Sequence, residues 1–575
     1  MMKTLSLILA TCSIGLCTNV NAGTSSFQLA KATQETSDKK QAEPVQTRSD
    51  IQNVRAGNYL ASRFAQTRHD WKNASLFIKP ILQSDLSDKE ILQRAMIIAM
   101  GAGNHSRALD LAKQAKALHP DESNTIAETF LIVEAFKKKE YTKAETLFSK
   151  MDNDATIRFI GPFIKVWIDA AQGNLKVQDL KQNTVQLYHA ILVSDYLDDH
   201  TDVEKMIDKA MNVDNVSISE LERIADLYAH VGMMEKATNL YKKALTQNPD
   251  DEVIKNKIDN IKKDTTVPLF KKVENPNQGM AQAFYDIANI LYNEKNDESA
   301  RVFAQIAIYL APELTQTTFL MAGINARHKQ YDEAIALYNS IPQKDENYVQ
   351  AQYDIVDIYD ETEQFSKALA ILNKLSKKET DPDTLIKIGN LYRHKEQYAK
   401  SLELYDRAIK ALGGETTAEY WHLHYVRGIS YEQTDQWEKA EQELSSALKF
   451  QPDHPYILNY LGYSWVDRGI NLDEATAMIQ KAVDARPNDG YITDSLGWAM
   501  YRNSDFKNAA KVLERAVELL PYDPTINDHL GDAYWKVGRR LEARFQWERA
   551  KNNSDDQEQI EQIEKKLKSG LPEDT

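Results

Sequence analysis

A small residue recurs along much of this chain at a nearly constant interval. Ala288, Ala322, Val356, Gly389, Gly428, Gly462, Gly497 and Gly531 follow one another at steps of 34, 34, 33, 39, 34, 35 and 34 residues. The one long step contains Gly413-Gly414, which reads as an enlarged loop. Around each marker the apolar residues keep helical spacing. The clearest block runs Leu496, Gly497, Ala509, Leu513, Ala516 and Pro521. Leu530, Gly531, Tyr534, Ala543, Trp547 and Ala550 follow it, and Leu461, Gly462, Trp465, Ala475, Ile479, Ala482 and Pro487 precede it. A period of this length describes two antiparallel helices that cannot bury their apolar faces alone. Such units must stack, so the period specifies a solenoid. It also resolves the length, because 575 residues exceed what one globular core holds.

The small residues imply close backbone approach between the two helices of a unit, with a small residue of the first against Ala or Ser of the second. Before Pro249 the register loosens. Leu221, Ile224, Ala225, Tyr228, Ala237, Tyr241, Ala244 and Pro249 form one full unit, and Ile157 to Asn212 reads as degenerate helical repeats. The expected layout is a signal segment at 1–22, a disordered leader at 23–50 and degenerate repeats at 51–262. A Pro- and Gly-containing linker follows at 263–279, then regular repeats at 280–554 and a capping helix with tail at 555–575. The fold class expected is all-α: a superhelical solenoid of about 12–14 helix pairs in two lobes.

Lys3, the apolar run Leu5 to Leu16 and the small-residue site Val20-Asn21-Ala22 read as an export signal cleaved before Gly23. The only cysteines, Cys12 and Cys17, lie inside it, so the expected mature chain offers neither disulfide nor thiolate. That suits an oxidising compartment. Leu16 before Cys17 and Thr11 before Cys12 do not make a lipid-attachment context, so the reading is a soluble exported protein, with a lipid anchor as the lesser alternative. The apolar run is short for a membrane span and no later stretch reaches that length. A net charge of −15, from 85 acidic and 70 basic residues, argues against nucleic acid as a partner.

The interval and residue types are similar to those of tetratricopeptide repeats. Leu458–Gly469, Asp489–Arg502 and Pro524–Ala550 resemble exported proteobacterial tetratricopeptide-repeat proteins. One branch of that family is a lipoprotein adaptor of a periplasmic carboxyl-terminal-processing serine protease. The resemblance implies a partner protease and cell-wall hydrolases delivered to it. This chain departs from that branch in its cysteine context.

Metal, phosphate and hydrolase motifs are missing in their usual forms, so no catalytic, cofactor or metal residues are expected and the chain reads as a non-enzyme. His422 and His424 face different sides of a helix. Asp528 and Asp532 share a face and flank His529, which reads as an acidic patch rather than a metal site. The first helices of successive units are expected to line an inner groove. Counting from the markers, its residues are Tyr456, Asn459, Tyr463 and Asp467. They continue as Tyr491, Asp494, Trp498, Tyr501 and Arg502, then Asp528, Asp532, Trp535 and Lys536. Aromatic and hydrogen-bonding groups at fixed pitch suit an extended peptide or a partner helix. Trp465 and Trp547 fall at core positions. The function expected is protein binding as an adaptor, with two alternatives open: an assembly scaffold for envelope or exopolysaccharide machinery, and an enzyme with its site between Ile157 and Asn212.

Overall fold

The structure, a computed structural model, describes residues 48–572 apart from 85–87, 121–122, 178–179, 181–182, 200–204, 207–217, 231, 248–250, 264–272, 376–380 and 415–417. The signal segment, the leader to residue 47 and most of the expected linker therefore lie outside the described residues. Every regular element described is helical. The chain divides into two compact units between Ile358 and Tyr359.

The first unit begins with three helix pairs: α1 (Arg48–Thr67) with α2 (Trp71–Ser84), α3 (Lys89–Gly101) with α4 (His105–Leu118), and α5 (Thr125–Lys137) with α6 (Tyr141–Phe148). Less regular packing follows in α7 (Ala155–Ala171) and α8 (Thr184–Tyr196). Then come the pair α9 (Ile218–His230) and α10 (Met234–Gln247), and the single α11 (Glu252–Lys262). Two more pairs are α12 (Pro276–Asn293) with α13 (Asp297–Leu310) and α14 (Thr315–Arg327) with α15 (Tyr331–Asn339). The division between units falls within α16 (Tyr348–Glu361).

The second unit holds α17 (Phe365–Leu375) and five pairs. These are α18 (Pro382–His394) with α19 (Tyr398–Ala411), α20 (Trp421–Glu432) with α21 (Trp437–Phe450), and α22 (Pro455–Arg468) with α23 (Leu472–Ala485). The last two are α24 (Gly490–Arg502) with α25 (Phe506–Leu519) and α26 (Pro524–Lys536) with α27 (Arg540–Asn553). A final helix, α28 (Gln557–Ser569), closes the unit.

Local sequence explains the boundaries. Asp381, Asp489 and Asp523 cap first helices by accepting hydrogen bonds from backbone N–H groups of the first turn. Pro382, Pro455 and Pro524 open helices where a missing N–H costs nothing. These pairs then reverse through a left-handed residue, joined between α22 and α23 by a second, Asn471. Lys295, Lys329, Glu363, Glu396, Asp435, Gly469, Ser504 and Gly538 all have φ between 57° and 84°. Each stands seven positions beyond its small-residue marker, so the turn repeats in the same register as the packing. At Ser504 the geometry is completed by Asp505 N–H, which donates to the Met500 carbonyl at 2.9 Å.

The small markers do what close packing requires, with one refinement. A Cβ on Gly497 would lie 2.5 Å from Leu513, and one on Gly531 would lie 2.4 Å from Trp547. The marker thus faces chiefly the large residue of the second helix, rather than the Ala that the spacing suggested. Gly497→Leu is expected to cost about 1–3 kcal/mol through overpacking. An unchanged melting midpoint would contradict this placement.

In the second unit α18 touches α20, α22 touches α24 and α24 touches α26, whereas each second helix reaches the next pair through that pair's first helix. First helices therefore form the inner layer. In the first unit that layer is occupied by the chain itself. Helix α12 packs on α7 and α8, and α13 packs on α3 and α5. Helix α13 is buried nearly all round, from Asp297 to Leu310. One continuous core runs from Ala65 to Ile324. Polar ties fix the arrangement: His105 Nε2 meets Gln305 Oε1 at 2.9 Å, Gln330 donates to the His69 carbonyl at 2.7 Å, and the Tyr309 hydroxyl donates to Glu134. The described end of the expected linker, Val273 to Gly279, belongs to the first unit.

His69 stacks on His328 at 3.4 Å between ring centroids. Burial first, then the charges of His328 and Arg301, hold His69 at about 4, against a small opposing pull from Asp297. The folded form therefore binds its proton later than the unfolded chain. Its stability contribution is full above about pH 6.5 and is lost as pH falls towards about 4. After allowance for solvent screening, about 1–2 kcal/mol of acid sensitivity is expected from this group. Melting midpoints of the His69→Gln variant should fall less between pH 6.5 and 4; a parallel slope would count against this origin.

Candidate functional site

The inner face of the second unit is built from equivalent turns of α22, α24 and α26. Tyr456 and Tyr491 occupy the same position near the starts of α22 and α24, and remain 42% and 62% exposed. The Arg486 guanidinium lies 5.6 Å from the Tyr456 ring centre. One turn further into α22, Asn459 Oδ1 is buried and takes no hydrogen bond from any described residue. Tyr463 follows, half-buried. Burial, then the Asp494 and Asp467 carboxylates, push its hydroxyl up to about 12, so it is a neutral donor at ordinary pH. Arg502, at the end of α24, donates to the Asp467 carbonyl at 3.3 Å and ties the two helices at that edge.

Deeper in α24 the aromatic ladder becomes a stack. Trp498 lies nearly parallel to Tyr501, with centroids 4.8 Å apart, and nearly parallel to His529 of α26 at 4.1 Å. His529 Nδ1 is 3.0 Å from both Asp494 carboxylate oxygens. Burial alone would lower the imidazole's proton affinity. Asp494 outweighs that, helped by Asp528 and Asp532, and the net direction is upward. An imidazole clamped between a carboxylate and an indole ties one repeat to the next.

The last four groove residues meet the chain's own end, Lys536 by donating to the Pro572 carbonyl at 3.5 Å. Lys566 of α28 reaches Asp528 and Asp532, each at 2.8 Å. Trp547 Nε1–H donates to the other Asp532 oxygen at 2.8 Å. Trp535 packs on Trp547, with Gly570 lying so close that a Cβ there would be 2.0 Å from the indole. The acidic patch expected at Asp528 and Asp532 is thus engaged internally, by one ammonium and one indole N–H. Of the thirteen groove residues anticipated, Tyr456, Asn459, Tyr463, Asp467, Tyr491 and Arg502 lie along the open inner face. Asp494, Trp498 and Tyr501 form its stacked floor, and Asp528, Asp532, Trp535 and Lys536 sit against α28 and the residues after it. Trp465 is buried, as its core position required, though its Nε1–H also donates to Glu441 at 2.7 Å.

Two residues escaped sequence reasoning. Lys566 lies 34 residues after Asp532, the repeat interval itself, so α28 takes the place of another first helix. His529 lies 35 residues after Asp494, which was the available signal for their pairing. His422 and His424 do not converge, and His424 pairs with Glu443 at 2.7 Å. Among the described residues, no group of three or more His, Cys, Asp or Glu side chains is placed to hold a metal ion. No described helix is long and apolar enough to cross a membrane.

Tetratricopeptide-repeat family models match residues 221–251, 326–388, and 425–490 with 470–524. The chain is similar to TPR repeat-containing protein PA4667 of Pseudomonas aeruginosa, 33% identical over 90 residues, which is 16% of this chain and 15% of that one. It is 24% identical to tetratricopeptide repeat protein 1 of Schizosaccharomyces pombe over 178 residues, 30% of this chain and 16% of that one. The chain thus spans about a sixth of each of these curated relatives. Among solved structures, the Cut9–Hcn1 hetero-tetramer of APC/C covers 90% of this chain and 96% of that one at 11% identity and a TM-score of 0.40. YrrB, described as a TPR protein with an unusual peptide-binding site, covers 35% and 97% at 20% identity and a TM-score of 0.27. The matched repeats, their constant register and the all-helical pairing make this chain a tetratricopeptide-repeat solenoid.

Proposed function

We propose that this chain is a periplasmic protein-binding adaptor that holds a neutral or basic segment of a partner on the inner face of its second unit. The observation that carries the reading is the row formed by Tyr456, Asn459, Tyr463 and Tyr491. The exposed Tyr456 and Tyr491 rings stand at equivalent positions on adjacent rigid helices, with half-buried Asn459 and Tyr463 following Tyr456 along α22. Aromatics supply contact area at low entropy cost, and the amide and phenols supply direction. The inner layer of the first unit, by contrast, is taken up by α13. The export signal read from residues 1–22 supports a periplasmic location. The resemblance in the last three repeats supports the finer role, delivery of cell-wall hydrolases to a carboxyl-terminal-processing serine protease.

The test uses the full chain with Tyr456→Ala, Asn459→Ala and Tyr491→Ala combined. These residues are partly exposed, so folding is expected to survive. Partners recovered from periplasmic extract should be depleted at least tenfold. Undiminished recovery would exclude this face. For the finer role, adding the chain to the purified protease and a hydrolase should accelerate hydrolase cleavage. Stable recovery with a multiprotein envelope complex, and no effect on proteolysis, would instead favour an assembly scaffold.

A further inference from the structure

A cavity of about 180 Å³ lies in the first unit, well away in sequence from the inner face of the second. It forms where α3, α5 and α7 meet α13. Ile126, Ile160, Val302, Phe303 and Ile306 line its apolar part. Its polar part includes Thr129, Asp154, Asn124 and Gln93. Lining residues range from Ser123, which is exposed, to Thr129, which is 2% exposed.

Two observations point to a ligand. The Thr129 hydroxyl is buried and pairs with no described residue. A threonine in mid-helix ordinarily satisfies its hydroxyl on the preceding turn, and an orphaned one costs stability. Asp154 supplies the other polar group. It caps α7 by accepting from Ile157 N–H at 2.8 Å and accepts from the Thr125 hydroxyl at 2.6 Å, which leaves lone pairs for a further donor. No lysine or arginine is among the lining residues, so an anion meets only a carboxylate. On size, an apolar cavity of about 150 Å³ accepts benzene. This one fits a ring with one small substituent.

We propose that this cavity receives the side chain of a tyrosine carried on an extended segment of a partner protein. The ring rests among Ile126, Ile160 and Phe303, and the phenol reaches the Thr129 and Asp154 groups. Gln93 and Asn124 offer amides to the segment's backbone. The site is independent of the inner face of the second unit.

The probes are p-cresol, toluene, p-toluate and the peptide acetyl-Gly-Tyr-Gly-amide, each titrated against the full chain by ligand-observed NMR. Saturable binding of p-cresol is expected, about fivefold tighter than toluene, the worth of one net hydrogen bond. The peptide should bind at least as tightly, and p-toluate should not bind. Thr129→Val should weaken p-cresol towards the toluene level without lowering the melting midpoint, because it removes an unpaired hydroxyl while the Asp154 acceptor remains. Ile160→Phe should abolish binding of every probe. Tyr456→Ala with Tyr491→Ala should leave all affinities unchanged. Equal binding of toluene and p-cresol, insensitivity to Thr129→Val, or exclusion of the peptide while p-cresol binds would each overturn the proposal.

Discussion

Trp547→Ala is expected to destabilise the second unit by about 3–5 kcal/mol. The indole is fully buried, packs against Gly531 where a Cβ would sit 2.4 Å away, and stacks beside Trp535. Its Nε1–H is also a hydrogen-bond donor to buried Asp532. Truncation therefore opens a large cavity and removes a partner from a buried carboxylate. Solenoid stability is transmitted through neighbouring interfaces, so the loss should be local. Hydrogen exchange should accelerate in α26, α27 and α28 and change little in α18 and α19. Trp547→Phe separates the two terms, since it restores much of the volume and none of the hydrogen bond. Uniform acceleration across the second unit, or a shift below 1 kcal/mol, would mean that Trp547 is not the anchor of the terminal pair.

Lys566→Met is expected to cost about 3 kcal/mol at pH 7, the low end for breaking a buried ion pair. The side chain is 19% exposed, and its carboxylate partners Asp528 and Asp532 are 17% and 8% exposed. Burial already lifts Asp532 above the ordinary carboxylate range, and Lys566 is the main group opposing that rise. Without the ammonium, the folded form holds protons more tightly than the unfolded chain does. Its stability then falls as pH rises through the window between the ordinary and the raised carboxylate values. The deficit against the parent should therefore be large at pH 7 and shrink towards pH 4. Double replacement of Asp528 and Asp532 by Asn in the Lys566→Met background should recover part of it. A deficit that does not change with pH would assign Lys566 a packing role alone.

These two sites mark the line between local and distant information. The pairing of helices was legible because every determinant lies within one repeat. The marker glycine, the large residue sixteen or seventeen positions on, and the left-handed turn residue seven positions on all meet through short hairpins. Tyr456, Asn459, Tyr463 and Tyr491 reach the open inner face by the same counting. The Asp528–Asp532 face was legible too, and so was the closing helix with its apolar stripe.

What Asp528 and Asp532 face was not legible. That depends on Lys566 arriving from the next helix, and a lysine among exposed-looking lysines carries no signal except its interval of 34 residues. The same holds for His529, whose pairing with Asp494 turns an isolated histidine into a link between successive repeats. The largest departure is α13, whose sequence fits any second helix of the repeat series. Its burial against α3 and α5 comes from distant chain segments, tied by bonds that span 175 and 200 residues, and creates the cavity beside Thr129. Sequence by itself determined the repeat, the hairpins and the residues that point inward, because helix periodicity and hairpin packing act over one repeat length. Tertiary structure alone decided which inner face stays open, because that depends on which distant helix fills it.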